Sequence, residues 1–156
     1  MQKSKEKNKQ NLASQDPGNK VVLVGGVFDI LHYGHIYFLK EAKSLGNYLV
    51  VALESDKNVK RLKGPSRPIH DQNMRREMLE SLHFVDEVII LADEMKDKDY
   101  FELVKKVRPQ IIAVTAEDPV LGKKQKQAKE IGAIVIEIPK VKTPSTSQIA
   151  RLLEIE

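Results

Sequence analysis

Five short apolar runs, at residues 21–24, 48–53, 88–91, 111–114 and 134–138, recur along this chain, and the stretches between them are each long enough to hold a helix. Antiparallel neighbours can be joined by two-residue turns, whereas parallel neighbours need a crossover of about a dozen residues or more. The spacing therefore predicts an α/β fold, a doubly wound sheet of about five parallel strands with helices on both faces. Residues 34–45 put Ile36, Leu39, Ala42 and Leu45 on one helical face before Gly46. Asp71 reads as the N-cap of a helix through Leu82 with Met74, Met78, Leu79 and Leu82 inward. Further helices are expected at 100–107, at 119–131 before Gly132, and from Ser145 or Thr146 through Leu153. Ser55 and Asp56 can cap a short turn, and the polar stretch 57–68, broken by Gly64, Pro65 and Pro68, reads as a loop. In such sheets ligands bind at the carboxyl ends of the strands, where the strand order switches.

Directly after the first run comes Gly25-Gly26-Val27-Phe28-Asp29-Ile30-Leu31-His32-Tyr33-Gly34-His35. Glycines let a ligand approach the backbone, a helix start offers free N–H groups, and two imidazoles add donors of variable charge. This is an anion site by composition, and a tight turn with two incidental histidines is its plainer alternative. Neither G-x-G-x-x-G nor a Gly-Lys-Ser/Thr phosphate loop is present.

Charge narrows the ligand. The 156 residues hold 26 Lys+Arg against 22 Asp+Glu, a formal +4, and Lys3, Lys5, Lys7 and Lys9 against Glu6 supply much of the excess. A mixed surface of this kind suits a small anion better than nucleic acid, so no specific nucleic-acid partner is expected. Residues 1–19 read as a disordered basic tail and 20–156 as the folded domain. No cysteine is present, no apolar run approaches the ~18 residues of a membrane span, and the Lys- and Asn-rich start is unlike a secretory signal. A cytoplasmic protein with no membrane partner is expected. His70 and His83 have no ligand spacing, and no protein-held metal is expected.

Three other groups of residues can meet phosphate. Lys63 and Arg67 sit in the basic stretch after the second strand, Arg75 on the next helix, and Ser145, Thr146 and Ser147 at the start of the last one. Solvent exposure and plain helix capping are the ordinary readings of these residues. Lys43 lies off the apolar stripe of its helix, and Asp29 can position a histidine or cap the turn.

The stretch Gly26 to His35, with its His-x-Gly-His ending, resembles the signature of the cytidylyltransferase-like nucleotidyltransferases. That resemblance runs over about residues 20–153. It implies a Rossmann-like fold of the nucleotidyltransferase α/β phosphodiesterase type, and transfer of a nucleoside monophosphate from a nucleoside triphosphate to a phosphorylated small-molecule acceptor with loss of pyrophosphate. It further implies catalytic roles for His32, His35, Lys63, Ser145 and Thr146, nucleotide contacts from Gly26, Val27, Phe28, Asp29, Gly34 and Ser147, and acceptor contacts from Lys43, Arg67 and Arg75. Mg2+ is expected to accompany the triphosphate, and a homodimer follows by analogy. The stretch around Lys63 and Arg67 is similar to the bacterial adenylyltransferases that make ADP-heptose, which favours ATP and a sugar 1-phosphate. Val85-Asp86-Glu87-Val88 resembles the glycerol-3-phosphate cytidylyltransferases, and archaeal-type FAD synthases share the outline. Val114-Thr115-Ala116-Glu117-Asp118-Pro119 departs from the family's pattern, with Thr115 where glycine is usual.

Overall fold

The computed structural model describes residues 16–155. Its elements run β1 (Val21–Gly26), α1 (Tyr33–Ser44), β2 (Tyr48–Leu53), α2 (Asp56–Lys63), α3 (Gln72–Glu80), β3 (Glu87–Ile90), α4 (Asp97–Val107), β4 (Ile111–Thr115), α5 (Leu121–Ile131), β5 (Ile134–Ile138) and α6 (Thr146–Leu152). The sheet is parallel throughout in the order β3-β2-β1-β4-β5, so the winding direction reverses between β1 and β4. This is the doubly wound fold that the apolar spacing predicts, and its switch point lies beside the histidine turn.

Because successive strand residues face opposite sides, two cores form from the same strands. Val22, Val24, Leu49, Val51 and Leu53 pack with Leu39 and Ala42 of α1 and Leu79 of α3. Val21, Leu23, Val50, Ala52 and Ile112 pack with Val104 and Val107 of α4 and Ala128 of α5 on the other face. Helices α1 and α5 thus lie on opposite sides of the sheet, both near the carboxyl ends of β1 and β4.

Three local expectations change. The stretch 57–68 begins as a helix: Ser55 caps α2 by accepting from Asn58 N at 3.1 Å, and Gly64, at φ +105°, ends it. Lys, Arg and Leu are good helix formers, and one buried residue, Val59, fastens α2 to the fold, so the segment has almost no apolar periodicity to read. On α3 it is Arg75, not Met74, that points inward; Met74 is 52% exposed. Helix α4 starts at Asp97, since Asp99 accepts from Lys96 N at 2.8 Å and draws the start forward.

Residues 1–15 of the expected tail lie outside the described residues. Residues 16–19 form a turn instead of a free end: Asn47 Nδ2 donates to Gly18 O at 3.2 Å and Lys20 N donates to Asn47 Oδ1 at 2.6 Å. Among the described residues no helix is long and apolar enough to cross a membrane.

Candidate functional site

The turn from β1 to α1 is built around one aromatic ring. Phe28 takes φ +47°, a left-handed conformation rare for a bulky residue, and folds its ring back over Gly26, where a Cβ would come within 2.8 Å of Phe28 Cε2. The ring then meets His35 edge-on at 5.2 Å. His32 is the N-cap of α1, and its Nδ1 accepts from Gly34 N at 3.1 Å. An accepting Nδ1 puts the neutral ring's proton on Nε2, which leaves a donor for a ligand. The two imidazoles stack at 3.8 Å with 26° between their planes.

Burial holds His35 down to about 4, and the neighbouring His32 adds to this; the Ile30 backbone and the Asp29 carboxylate offset only part of it. Burial also lowers His32. Both rings are therefore neutral at pH 7 in the free protein. An unfolded His35 titrates near 6.5, so between about 6.5 and 4 the unfolded chain binds the extra proton. Stability from this residue is full above pH 6.5 and is lost as pH falls toward 4, about 3 kcal/mol in all. Urea unfolding of the wild type between pH 7 and 4 should show that loss, and His35→Gln should flatten it.

Gly34 is required where it stands. A Cβ there would lie 2.9 Å from His32 Cε1 and 3.0 Å from Thr143 Cγ2, so alanine must displace the His32 ring. Alanine is also the better helix former, by up to about 1 kcal/mol. Gly34→Ala is expected to cut turnover by about tenfold or more with little loss of melting temperature, measured by steady-state kinetics beside thermal unfolding.

Asp29 works differently from the nucleotide contact expected of it. It is 1% exposed and accepts from Ile69 N at 2.9 Å, His70 N at 3.0 Å and Arg67 Nε at 2.7 Å. Burial alone would raise its carboxyl, but the His70 and Ile69 amides and the Arg67 guanidinium outweigh it and hold it below the usual range. Asp29 thus fastens the loop after α2 to the histidine turn. Arg67 is placed by this pair so that Nη1 donates to Ser147 Oγ at 3.4 Å, linking a third loop.

Arg75 and Lys43 stand away from the cleft. Arg75 is fully buried: Nη1 donates to Val27 O at 2.7 Å, Nη2 to Glu54 O at 3.0 Å and Asp56 Oδ1 at 2.8 Å, and Nε to His70 O at 3.0 Å. Its donors are spent on backbone carbonyls and Asp56, so it braces the site in place of touching an acceptor. Lys43 Nζ pairs with Asp86 and donates to Asn47 O at 2.7 Å, at the opposite end of α1 from the histidines.

The remaining expected residues converge on a cleft of about 430 Å³ at the carboxyl ends of β1 and β4. Gly26, Val27, Phe28, Asp29, His32, Gly34, His35, Lys63, Arg67, Ser145, Thr146 and Ser147 all border it. Their availability differs. Thr146 Oγ1 donates to Ile30 O at 3.1 Å and so ties α6 to the histidine turn with no proton left for phosphate. Ser145 Oγ accepts from Gln148 N, which leaves its own O–H free to donate.

The far wall also holds residues to which the resemblance assigns no role: Asp118 and Lys124, paired at 2.8 Å, and Lys140, which pairs with Glu117. They come from α5 and the loops after β4 and β5, and only the switch in strand order brings them to the histidines.

A family model described as cytidylyltransferase-like matches residues 23–151. The chain is 41% identical over 136 residues to the FAD synthase of Thermococcus sibiricus, covering 85% of this chain and 89% of that protein. It is 44% identical over 95 residues to the bifunctional protein HldE of Aliarcobacter butzleri, covering 61% of this chain and 19% of that one, so it spans about a fifth of the length of that relative. Among solved structures, the lipopolysaccharide core biosynthesis protein of Thermoplasma volcanium superposes with TM-score 0.67 at 32% identity, over 81% of this chain and all of that one. A pantoate-beta-alanine ligase from Francisella tularensis, TM-score 0.61 at 18% identity over 84% of this chain and 63% of that one, shares the fold. With the histidine turn, the cleft at the switch point and the match across both agreeing, the chain belongs to the cytidylyltransferase-like family and is a nucleotidyltransferase.

Proposed function

We propose that the chain transfers AMP from ATP to the phosphate of a small acceptor and releases pyrophosphate, with FMN as the acceptor. The observation that carries the choice of acceptor is the 41% identity to a FAD synthase over most of both chains, since forming FAD joins AMP to FMN. A sugar 1-phosphate is the second reading, favoured by the identity to HldE and by the placement of Lys63 and Arg67 on the cleft.

In this reading the triphosphate lies across the N-terminus of α1, where His32 Nε2–H, the His35 ring, the free backbone N–H groups and Lys63 meet its oxygens. An oxygen of the acceptor phosphate attacks the α-phosphorus. The bond from that phosphorus to the bridging oxygen breaks, and pyrophosphate leaves with the electron pair. No side-chain nucleophile or general base is required, so the protein acts by alignment and by stabilising charge. Lys63, at the end of α2, adds a point charge, while Arg67 orders the loop through Asp29 and faces the same cleft. The Ser145 and Ser147 hydroxyls add donors at the cleft rim.

Among the described residues no three His, Asp or Glu side chains gather around one point. That donor set suits Mg2+ arriving on the nucleotide, because this ion keeps several waters and is held mainly by phosphates with one or two carboxylates. Bound there, it would neutralise charge building on the leaving pyrophosphate.

Pyrophosphate release should be measured with ATP or CTP against FMN, a heptose 1-phosphate and glycerol 3-phosphate. ATP with FMN is expected to turn over fastest. Turnover with ATP and heptose 1-phosphate but not FMN would move the acceptor to the second reading, and turnover only with CTP would overturn the choice of nucleotide.

A further inference from the structure

The two ends of the cleft differ in charge. At the α1 end stand Lys63, the N-terminus of α1 and the neutral His32 and His35 rings, while Arg67 is paired with Asp29, which also accepts from two backbone amides. At the α5 end each cation has a partner: Lys124 with Asp118 at 2.8 Å, and Lys140 with Glu117 at 3.5 Å. Helices α1 and α5 pack on opposite faces of the sheet, so the cleft crosses the sheet from an end with the Lys63 charge and a helix N-terminus to one whose charges are paired.

That asymmetry orients an elongated ligand. Phosphates are attracted by Lys63 and the N-terminus of α1, whereas the paired charges at the α5 end offer them no net attraction. The neutral half of a nucleotide then falls at the α5 end. There the Asp118–Lys124 pair is held in place: Asp118 Oδ1 accepts from Val120 N at 2.8 Å, Oδ2 accepts from Lys124 Nζ, and the two side chains are only 12% and 26% exposed. Such a pair offers one acceptor and one donor side by side, with no net charge.

We propose that Asp118 and Lys124 read the nucleobase of the bound nucleoside triphosphate, Asp118 accepting from an exocyclic amino group and Lys124 donating to the ring nitrogen beside it. This rests on the nucleotidyl-transfer reading of the cleft. Adenine presents an amino group next to an acceptor nitrogen, and so does cytosine; hypoxanthine, guanine and uracil put an oxo group at that place. An oxo group would face the carboxylate acceptor to acceptor. The departure of residues 115–119 from the family's pattern thus becomes a specificity element, selecting amino bases over oxo bases.

Calorimetry of the full chain with ATP, ITP and inorganic tripolyphosphate separates the possibilities, because ITP differs from ATP in the six-position group of the base. The unaltered chain is expected to bind ATP at least about tenfold tighter than ITP. In Asp118→Asn, whose carboxamide can also donate, the ratio should fall toward unity. Lys124→Met should weaken ATP by about tenfold while tripolyphosphate affinity stays within about twofold, which also shows that the variant is folded. An unchanged ATP-to-ITP ratio in both variants would overturn the proposal. So would equal weakening of tripolyphosphate and ATP in Lys124→Met, which would make Lys124 a phosphate ligand. Failure of the unaltered chain to bind ATP at all would overturn the choice of ATP as the nucleotide of the proposed reaction, a result distinct from either.

Discussion

His35→Ala is expected to slow pyrophosphate release by about 10²- to 10³-fold with the native fold retained. The magnitude is that of removing one well-placed donor from a site that acts by electrostatic stabilisation. The fold should persist because His35 Nδ1 is buried with no hydrogen-bond partner among the described residues, so few polar bonds tie the ring into the scaffold. Its contacts are the stacked His32 and the edge of Phe28. Single-turnover kinetics beside far- and near-ultraviolet circular dichroism would check both halves. Wild-type-like turnover in this variant would remove His35 from the chemistry. His32→Ala is expected to differ: it loses an N-cap as well as a donor, so stability should fall by about 1 kcal/mol along with activity.

Arg75→Met is expected to cost about 3–5 kcal/mol of folding stability. The substitution leaves the Val27, Glu54 and His70 carbonyls without their donor, and each buried acceptor left unpaired costs about 1–3 kcal/mol. Those carbonyls lie at the end of β1, just past β2 and just before α3, so one guanidinium holds together the loops on which the site is built. Lysine, a point charge on a flexible stem, cannot reproduce this fork, and Arg75→Lys should recover little of the loss. Urea titration would measure it. A loss of activity with unchanged unfolding would instead return Arg75 to the role of a ligand.

Why Arg75 escapes a reading of the sequence is physical. Three of its partners are backbone carbonyls, which every residue owns and which leave no mark in the chain, and the fourth, Asp56, lies nineteen residues away. An arginine between Met74 and Met78 looks like part of a solvated face, yet the methionine is the exposed one. Asp29 is obscured in the same way, because its partners Ile69 N and His70 N lie about forty residues away, brought near by the path of α2 and the loop behind it. Lys43 reads as available because its charge is visible, while Asp86, which neutralises it, arrives from the start of β3.

Other parts are legible because their causes are local. The strands announce themselves as apolar runs, and parallel pairing follows from the length of what separates them. The turn Gly26 to His35 is readable because its glycines, its N-cap and its histidines lie within ten residues. Thr146 shows the limit: its place at the start of α6 is evident from the run of hydroxyls, but whether its proton serves a ligand or Ile30 O depends on a chain crossing of more than a hundred residues. The α5 wall of the cleft is likewise set by topology. Asp118 and Lys124 meet the histidines only because the sheet reverses direction between β1 and β4.

The most direct test follows the α-phosphorus. With ATP labelled at that position and FMN or a sugar 1-phosphate as acceptor, the label is expected in a nucleotide-diphospho product, formed in one-to-one ratio with pyrophosphate. Label recovered in ADP, with phosphate on the acceptor, would contradict nucleotidyl transfer in this cleft.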